Sequence, residues 1–268
     1  MSREKIPSPP KPPTNTYPDH PEGSFIESTP IRGLLEPMSR MTREMKPFIE
    51  RGEYGMIIGD DASGRIPTLI MSEVINTVYK KSDRPKINTR FLALYPVWEY
   101  QEAWKKLTGE KRIGPEFFGK KTKYATDKIK HEFTDKIDKE AMAGKRVLVV
   151  TELLSSGSAL RPLLVTLKES GFEFDIACIS TYESKGGPEE LKLGAGRFFI
   201  GDNNTPAIYQ QGMISGVIKD KENFNLRSLP IKKSYSPEVQ REIQLEINKA
   251  RQDAHRVASQ ILDSIWGK

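Results

Sequence analysis

The chain has 268 residues, of which 37% are hydrophobic, which is enough for one sizeable core domain with extensions. Its formal net charge of +6 favours anionic partners, while the scattered lysines and arginines leave nucleic acid open without favouring it. The longest apolar runs, such as Val147 to Val150, fall far short of the roughly 18 residues of a membrane-spanning helix, so we expect a soluble, cytoplasmic protein without a membrane partner.

The N-terminal residues 1–24 are rich in proline and polar side chains. This composition buries too little apolar surface to offset the entropy of ordering, so we predict a disordered arm. Its PSPPKPP run is also compatible with a ligand for a proline-recognising domain, but a solvated tail is the simpler interpretation. We expect residues 25–232 to form the folded domain and residues 233–268 to form a separate C-terminal helix.

The folded domain is expected to open with a helical segment from about Ser39 and a buried strand, YGMIIGD, that starts at Tyr54. A polar turn, DDASGR, follows this strand. Apolar residues at helical spacing between Leu69 and Val78 then predict a helix, with Pro67 in its first turn, where proline is tolerated. INTRFLALYPV supplies a second strand.

A long polar and lysine-rich excursion follows between Glu99 and Ala143. Excursions of this length in compact α/β domains are usually lids or insertions. Its second part predicts an amphipathic helix from Asp127 to Met142.

The clearest sign of a parallel sheet is RVLVV, which starts at Arg146 and lacks the polar alternation of a strand with one solvated face. A helix from Ala159 to Ser170, followed by the strands DIACISTYES and RFFIGD, continues the pattern. This order predicts an α/β fold with a doubly wound parallel sheet, which binds ligands at the carboxyl ends of its strands. Cys178, the only cysteine, is expected to be a buried hydrophobic side chain, so no disulfide or thiolate metal site is expected within the chain.

The C-terminal residues predict one long amphipathic helix. Ser236 and Pro237 suit its N-cap and first helical position, and apolar residues recur every three or four positions from Val239 to Ile265. We expect this helix to dock on the core of its own chain. Docking on another subunit is the alternative, and it would make the protein a homo-oligomer.

The turn after the RVLVV strand is the strongest candidate for a binding site. Glu152 stands at the end of the strand, and Ser155, Ser156, Gly157 and Ser158 lead into the next helix. Backbone N–H groups at a helix N-terminus, a glycine that lets an anion approach, and hydroxyl donors together form a cradle for a monophosphate. An acid just before such a cradle is placed to accept hydrogen bonds from a ribose diol.

The segment VLVVTELLSSGSAL resembles the phosphoribosyl pyrophosphate signature of the type I phosphoribosyltransferases. That signature is a hydrophobic strand followed by two acids, two hydrophobic residues, two hydroxyl residues and a glycine. Glu152 matches the second acid, Thr151 stands in place of the first, and residues 155–157 match the hydroxyl pair and the glycine. The resemblance implies that residues 155–158 hold the 5-phosphate, that Glu152 binds the ribose hydroxyls as a catalytic residue, and that Thr151 lines the substrate site.

A second match, IIGDDASGRIP, follows the opening strand, where the family places its pyrophosphate-binding loop. It resembles the loop of adenine phosphoribosyltransferases, with the order of Gly64 and Arg65 reversed. Backbone N–H groups at Ser63 and Gly64 and the forked guanidinium of Arg65 can bind a diphosphate. Asp60 and Asp61 can hold Mg²⁺, the expected cofactor, through water. An ordinary polar turn with a surface arginine is the alternative.

The lysine-rich excursion lies where the family carries a hood over the reaction centre. The resemblance implies that one of its cations neutralises the leaving diphosphate, and the candidates are Lys105, Lys106, Lys111 and Arg112. A solvated charged loop is the alternative interpretation of each of them.

Three functions follow from these patterns. The resemblance implies transfer of phosphoribose from phosphoribosyl pyrophosphate to a nucleobase or another acceptor, with release of diphosphate and with Glu152 and Arg65 as catalytic residues. The departure at Thr151 also fits a non-catalytic relative that senses phosphoribosyl pyrophosphate or a nucleotide and acts through a protein or nucleic-acid partner. The third interpretation is an unrelated nucleotide-binding α/β protein whose two loops match by chance.

Overall fold

The fold was determined from a computed structural model, which describes residue 26 and residues 28–95, 115–154, 157–181, 196–202, 214–219, 226–231 and 236–267. The predicted proline-rich arm, the four cations of the predicted hood, and Ser155 and Ser156 lie outside these residues.

Among the described residues, the five predicted strands and the predicted helices occur in the predicted order, and four further short elements were not predicted. The helices are α1 (Thr29–Arg32), α2 (Leu35–Arg51), α3 (Arg65–Lys81), α4 (Pro115–Glu132), α5 (Arg161–Glu169) and α6 (Pro237–Trp266), with a short 3-10 turn at Thr134–Lys136. The strands are β1 (Tyr54–Asp60), β2 (Asn88–Leu92), β3 (Arg146–Leu154), β4 (Phe174–Thr181), β5 (Phe198–Asp202), β6 (Val217–Ile218) and β7 (Leu229–Pro230).

Strands β1 to β5 form one parallel sheet in the order β2-β1-β3-β4-β5. The chain moves outward in one direction from β1 to β2 and in the other direction from β3 to β5, so the strand order reverses between β1 and β3. Helices cover both faces of the sheet, and the predicted α/β class with a doubly wound parallel sheet agrees with this arrangement.

Each face of the sheet has its own hydrophobic core. Ile57 and Val150 belong to a core shared with α1, α2, α3 and α6, whereas Ile58 and Val149 belong to a core shared with α5 and the end of α4. All four side chains are fully buried. Because neighbouring residues of a strand face opposite sides, burial on both sides explains the absence of polar alternation in β1 and β3.

The predicted C-terminal helix is present and docks on α2 and α3 of the same chain. The Ser236 side chain caps it by accepting a hydrogen bond from the Val239 backbone, as predicted. Asp253, fully buried on its inner face, accepts a hydrogen bond of 2.7 Å from the backbone N–H of Ser28 and so ties this helix to the start of α1. No described helix, this one included, is long and apolar enough to cross a membrane.

The helix predicted from Asp127 to Met142 was wrong in its second half, because α4 ends at Glu132. Ile137 adopts an extended conformation, and the Asp138 side chain accepts hydrogen bonds from two backbone N–H groups that follow it, which forms a turn. Ile137 and Met142 are nevertheless buried in the core. Their helix-like spacing therefore reflects contacts made by a turn rather than by one helical face.

A fully buried carboxylate, Asp175, connects four strands at the amino edge of the sheet. Its Oδ1 accepts hydrogen bonds from the Arg146 guanidinium at 2.8 Å and from the Arg197 backbone at 2.9 Å. Its Oδ2 accepts from the Tyr54 hydroxyl at 3.0 Å and from the Arg197 guanidinium at 2.9 Å. A buried charge is tolerated only when it is paired and hydrogen-bonded in this way.

We predict that Asp175→Asn lowers the free energy of unfolding by about 3–5 kcal/mol, because it leaves two arginines facing a neutral amide in a desolvated site. Urea denaturation followed by circular dichroism measures this loss. Glu173→Gln is the matched control, since Glu173 also pairs with Arg146 but its side chain is 75% exposed. The control should lower the free energy of unfolding by less than about 1 kcal/mol. Equal losses in the two variants would contradict the conclusion that burial makes the Asp175 pairs important for stability.

Candidate functional site

The two loops singled out in the sequence lie side by side at the carboxyl edge of the sheet. One follows β1 and the other follows β3, and these strands pair in parallel with Gly59 opposite Val150. A Cβ atom added at Gly64 would lie 2.7 Å from the Asp60 backbone oxygen and 3.1 Å from that of Val150, so the last residue of the first loop packs against the backbone of β3. The strand order reverses at this point, and doubly wound folds bind ligands in the crevice that such a reversal opens.

The loop after β1 is held in a strained conformation. The Asp61 N–H donates to the Leu92 oxygen at 2.7 Å, and the Gly64 N–H donates to the Asp60 oxygen at 2.8 Å. Between them, Ala62 has a φ of 74°, in the left-handed region that costs a residue with a Cβ atom about 1–2 kcal/mol. Strain of this kind clusters at ligand sites, where the surrounding structure enforces it.

Arg65 begins α3 and is fixed on two sides. Its Nε donates to Asp61 Oδ1 at 2.7 Å, and its guanidinium lies 4.5 Å from the centre of the Phe91 ring. Asp61 and Arg65 line one end of a cleft of about 1250 Å³ that runs along β2, and no described residue of β3 lines this cleft. The arginine is therefore held in place at a solvent-accessible opening beside the crevice.

Asp60 is a buried acid at the end of β1, with 7% of its surface exposed. Its carboxylate accepts hydrogen bonds from the Ser63 hydroxyl at 3.2 Å and the Leu94 backbone at 3.4 Å, and it pairs with Lys219 at 2.8 Å. Burial raises the pKa of Asp60, although Lys219 and Ser63 act in the opposite direction. Lys219 was not predicted, because it lies 159 positions away in a charged stretch that has no local pattern.

The second loop begins later than the sequence indicates, because β3 continues to Leu154. Thr151 and Glu152 are consequently strand residues, and each has only 2% of its surface exposed. Thr151 lies opposite Cys178 of β4, which is itself buried as predicted. Both candidates are thus buried within the strand, and their contact with a ribose stays a prediction.

Gly157 forms the tight turn that leads into α5. Its φ is 65°, and its backbone oxygen accepts hydrogen bonds from the N–H groups of Leu160 and Arg161, both at 3.0 Å. The helices after the two loops are α3 and α5, and their N-cap residues are Gly64 and Leu160. Neither residue provides a side-chain capping hydrogen bond. Two helix N-termini without such caps at one crevice present the positive ends of two helix dipoles to it.

Carboxylate oxygens are the ligands that Mg²⁺ prefers, and Asp60 and Asp61 supply them at the end of β1. In the structure these acids are paired with Lys219 and Arg65. Within the described ranges, no three His, Cys, Asp or Glu side chains are grouped as metal ligands. The donor chemistry fits Mg²⁺ delivered with an anionic ligand, which would complete the coordination shell.

The fold thus brings the predicted candidates to one edge in two neighbouring groups. The first group is Asp61, Ser63, Gly64 and Arg65, and the second is Thr151, Glu152, Gly157 and Ser158. No protein family model matches this chain, and the search of curated proteins found no match either.

We predict that Gly64→Ala destabilises the chain by about 1–3 kcal/mol, because the added methyl group meets two backbone oxygens that cannot move aside. The φ of −80° at Gly64 suits alanine. Without the close contact, the same substitution would therefore stabilise the fold by about 0.4–1 kcal/mol. Denaturant unfolding measures whether Gly64→Ala lowers or raises the free energy of unfolding. A gain in stability would show that the loop does not pack on β3.

Proposed function

We propose that this protein binds phosphoribosyl pyrophosphate at the crevice between β1 and β3 and transfers its phosphoribose to an acceptor. The observation that carries the proposal is the close approach of Gly64 to the Val150 backbone oxygen of β3. The sequence matched the two loops to two parts of one ligand site independently, and the fold places them next to each other at its strand-order reversal. The proposal includes membership of the type I phosphoribosyltransferase fold.

In this proposal the two ends of the ligand occupy the two loops. The diphosphate lies at the N-terminus of α3, where backbone N–H groups and the forked guanidinium of Arg65 bind it. The 5-phosphate lies at the N-terminus of α5, where Gly157 lets the backbone approach and Ser158 adds a hydroxyl donor. Glu152, at the end of β3 between them, accepts hydrogen bonds from the ribose hydroxyls.

The proposed reaction breaks the bond between the ribose carbon and the diphosphate while the acceptor attacks that carbon. Positive charge develops on the ribose, and negative charge develops on the departing diphosphate. The chain's contribution is to orient the ribose with Glu152 and to stabilise the diphosphate with Arg65 and the helix dipole of α3. Mg²⁺ bound near Asp60 and Asp61 would neutralise part of the diphosphate charge.

A second candidate function is supported by Thr151. A threonine that is 2% exposed replaces the first acid of the resembled signature, which removes one negative charge beside the ribose position. A site with reduced charge stabilisation can retain binding while losing turnover. The alternative is therefore a phosphoribosyl pyrophosphate or nucleotide sensor that acts through a protein or nucleic-acid partner.

We predict that Glu152→Gln weakens binding of magnesium phosphoribosyl pyrophosphate by about ten- to hundredfold, because hydrogen bonds to a charged carboxylate are lost while the side chain keeps its shape. Isothermal titration calorimetry measures the affinity, and release of diphosphate with a panel of nucleobases measures the transfer. Glu169→Gln, an exposed acid at the far end of α5, is the control and should retain full affinity.

The results separate the candidate functions. Binding with diphosphate release supports the transferase, and binding without release favours the sensor. Wild-type protein that binds nucleotides but not phosphoribosyl pyrophosphate would favour the unrelated nucleotide-binding protein and would overturn the proposal.

A further inference from the structure

Lys219 brings a positive charge to the loop after β1 from a distant part of the chain. It directly follows β6, and its Nζ lies 2.8 Å from Asp60 Oδ1 and donates to the Leu94 backbone oxygen. The ammonium also lies 5.9 Å from the centre of the Tyr95 ring. The side chain is 17% exposed, so the cation is partly accessible to solvent and is not enclosed in the core.

Lys219 balances the charge of the loop after β1. Asp60 and Asp61 place two negative charges next to each other, and Arg65 offsets only one of them. With Lys219 the group is neutral, and without it the loop would repel an incoming diphosphate. Opposite charges within about 4 Å attract each other strongly at a partly buried site, so each of the two cations offsets the acid that it contacts.

The Asp60–Lys219 pair is a weak source of net stability for the fold. Removing two charges from water costs free energy that their attraction only partly returns, so a buried ion pair is weak evidence for stability. Asp60 already accepts hydrogen bonds from Ser63 and from the Leu94 backbone. The neutralising partner is a lysine, a compact cation on a flexible stem, and not an arginine that would be fixed by a forked contact.

Lysine chemistry also allows the cation to change partners. An ammonium has three N–H donors, and among the described residues Asp60 and the Leu94 oxygen accept from it. Phosphate oxygens are stronger acceptors than a backbone carbonyl, since hydrogen bonds between two ionised groups are shorter and stronger.

We propose that Lys219 is a diphosphate-binding residue, held beside the loop after β1 by its contact with Asp60. The inference rests on the proposed function, because it names a further residue of the same site. When diphosphate enters, the ammonium exchanges the Leu94 oxygen for a phosphate oxygen and keeps its contact with Asp60. Asp60 keeps its hydrogen bonds from Ser63 and from the Leu94 backbone.

The test compares Asp60→Asn with the double variant Asp60→Asn/Lys219→Met, using inorganic diphosphate with Mg²⁺ as the probe in isothermal titration calorimetry. Lys219→Met alone leaves a buried carboxylate without its cation and destabilises the fold, whereas both chosen variants lack that carboxylate. The double variant should bind diphosphate about ten- to hundredfold more weakly than Asp60→Asn, because a charge-assisted hydrogen bond is lost.

The control is Asp60→Asn/Lys80→Met, which removes the same charge from an exposed position at the opposite end of α3. Its affinity should stay within about twofold of that of Asp60→Asn at physiological salt, because distant surface charges are screened. Equal diphosphate affinity of Asp60→Asn and Asp60→Asn/Lys219→Met would overturn the proposed role of Lys219 and leave the proposed function standing. Wild-type protein that binds neither diphosphate nor phosphoribosyl pyrophosphate would overturn the proposed function together with it.

Discussion

The parallel pairing of β1 with β3 is the constraint on which the candidate site depends. In a parallel sheet all carboxyl ends point to one edge, so the loops that follow β1 and β3 meet there. Gly64 has no side chain, which lets the start of α3 approach the Val150 oxygen of β3. A crevice opens at this edge because the chain leaves β1 and β3 in opposite directions.

The buried carboxylates at the two edges of the sheet have different kinds of partners. At the amino edge, Asp175 is fully buried and is surrounded by fixed donors from Arg146, Arg197 and Tyr54. At the carboxyl edge, Asp60 and Asp61 are partnered by Lys219 and Arg65, whose side chains are partly exposed. The first arrangement holds strands together, while the second leaves cations where an anionic ligand can reach them. Stability and proposed binding are thus assigned to opposite ends of the same strands.

Local patterns were sufficient where the interactions that shape an element are local. The N-cap at Ser236 and the unbroken apolar run in β3 identified their elements, because capping depends on neighbouring residues and burial on both faces leaves no polar position. The same approach failed for the segment after Glu132, where a turn at Asp138 interrupts an apolar spacing that resembles a helix. It also ended β3 too early, because pairing with β4 continues past Thr151 to Leu154.

The sequence by itself determined the α/β class, the two candidate loops and the residue types that suit an anionic ligand, because strand burial, glycine positions and helix starts are encoded locally. Only the tertiary structure decided that Gly64 packs against β3, that Glu152 is buried in a strand, and that Lys219 partners Asp60. These facts depend on strand order and on a contact across 159 positions, and neither leaves a local pattern. The physical reason is that chain connectivity fixes the neighbours of a residue along the sequence, whereas burial of apolar surface on both faces of the sheet fixes its neighbours in space.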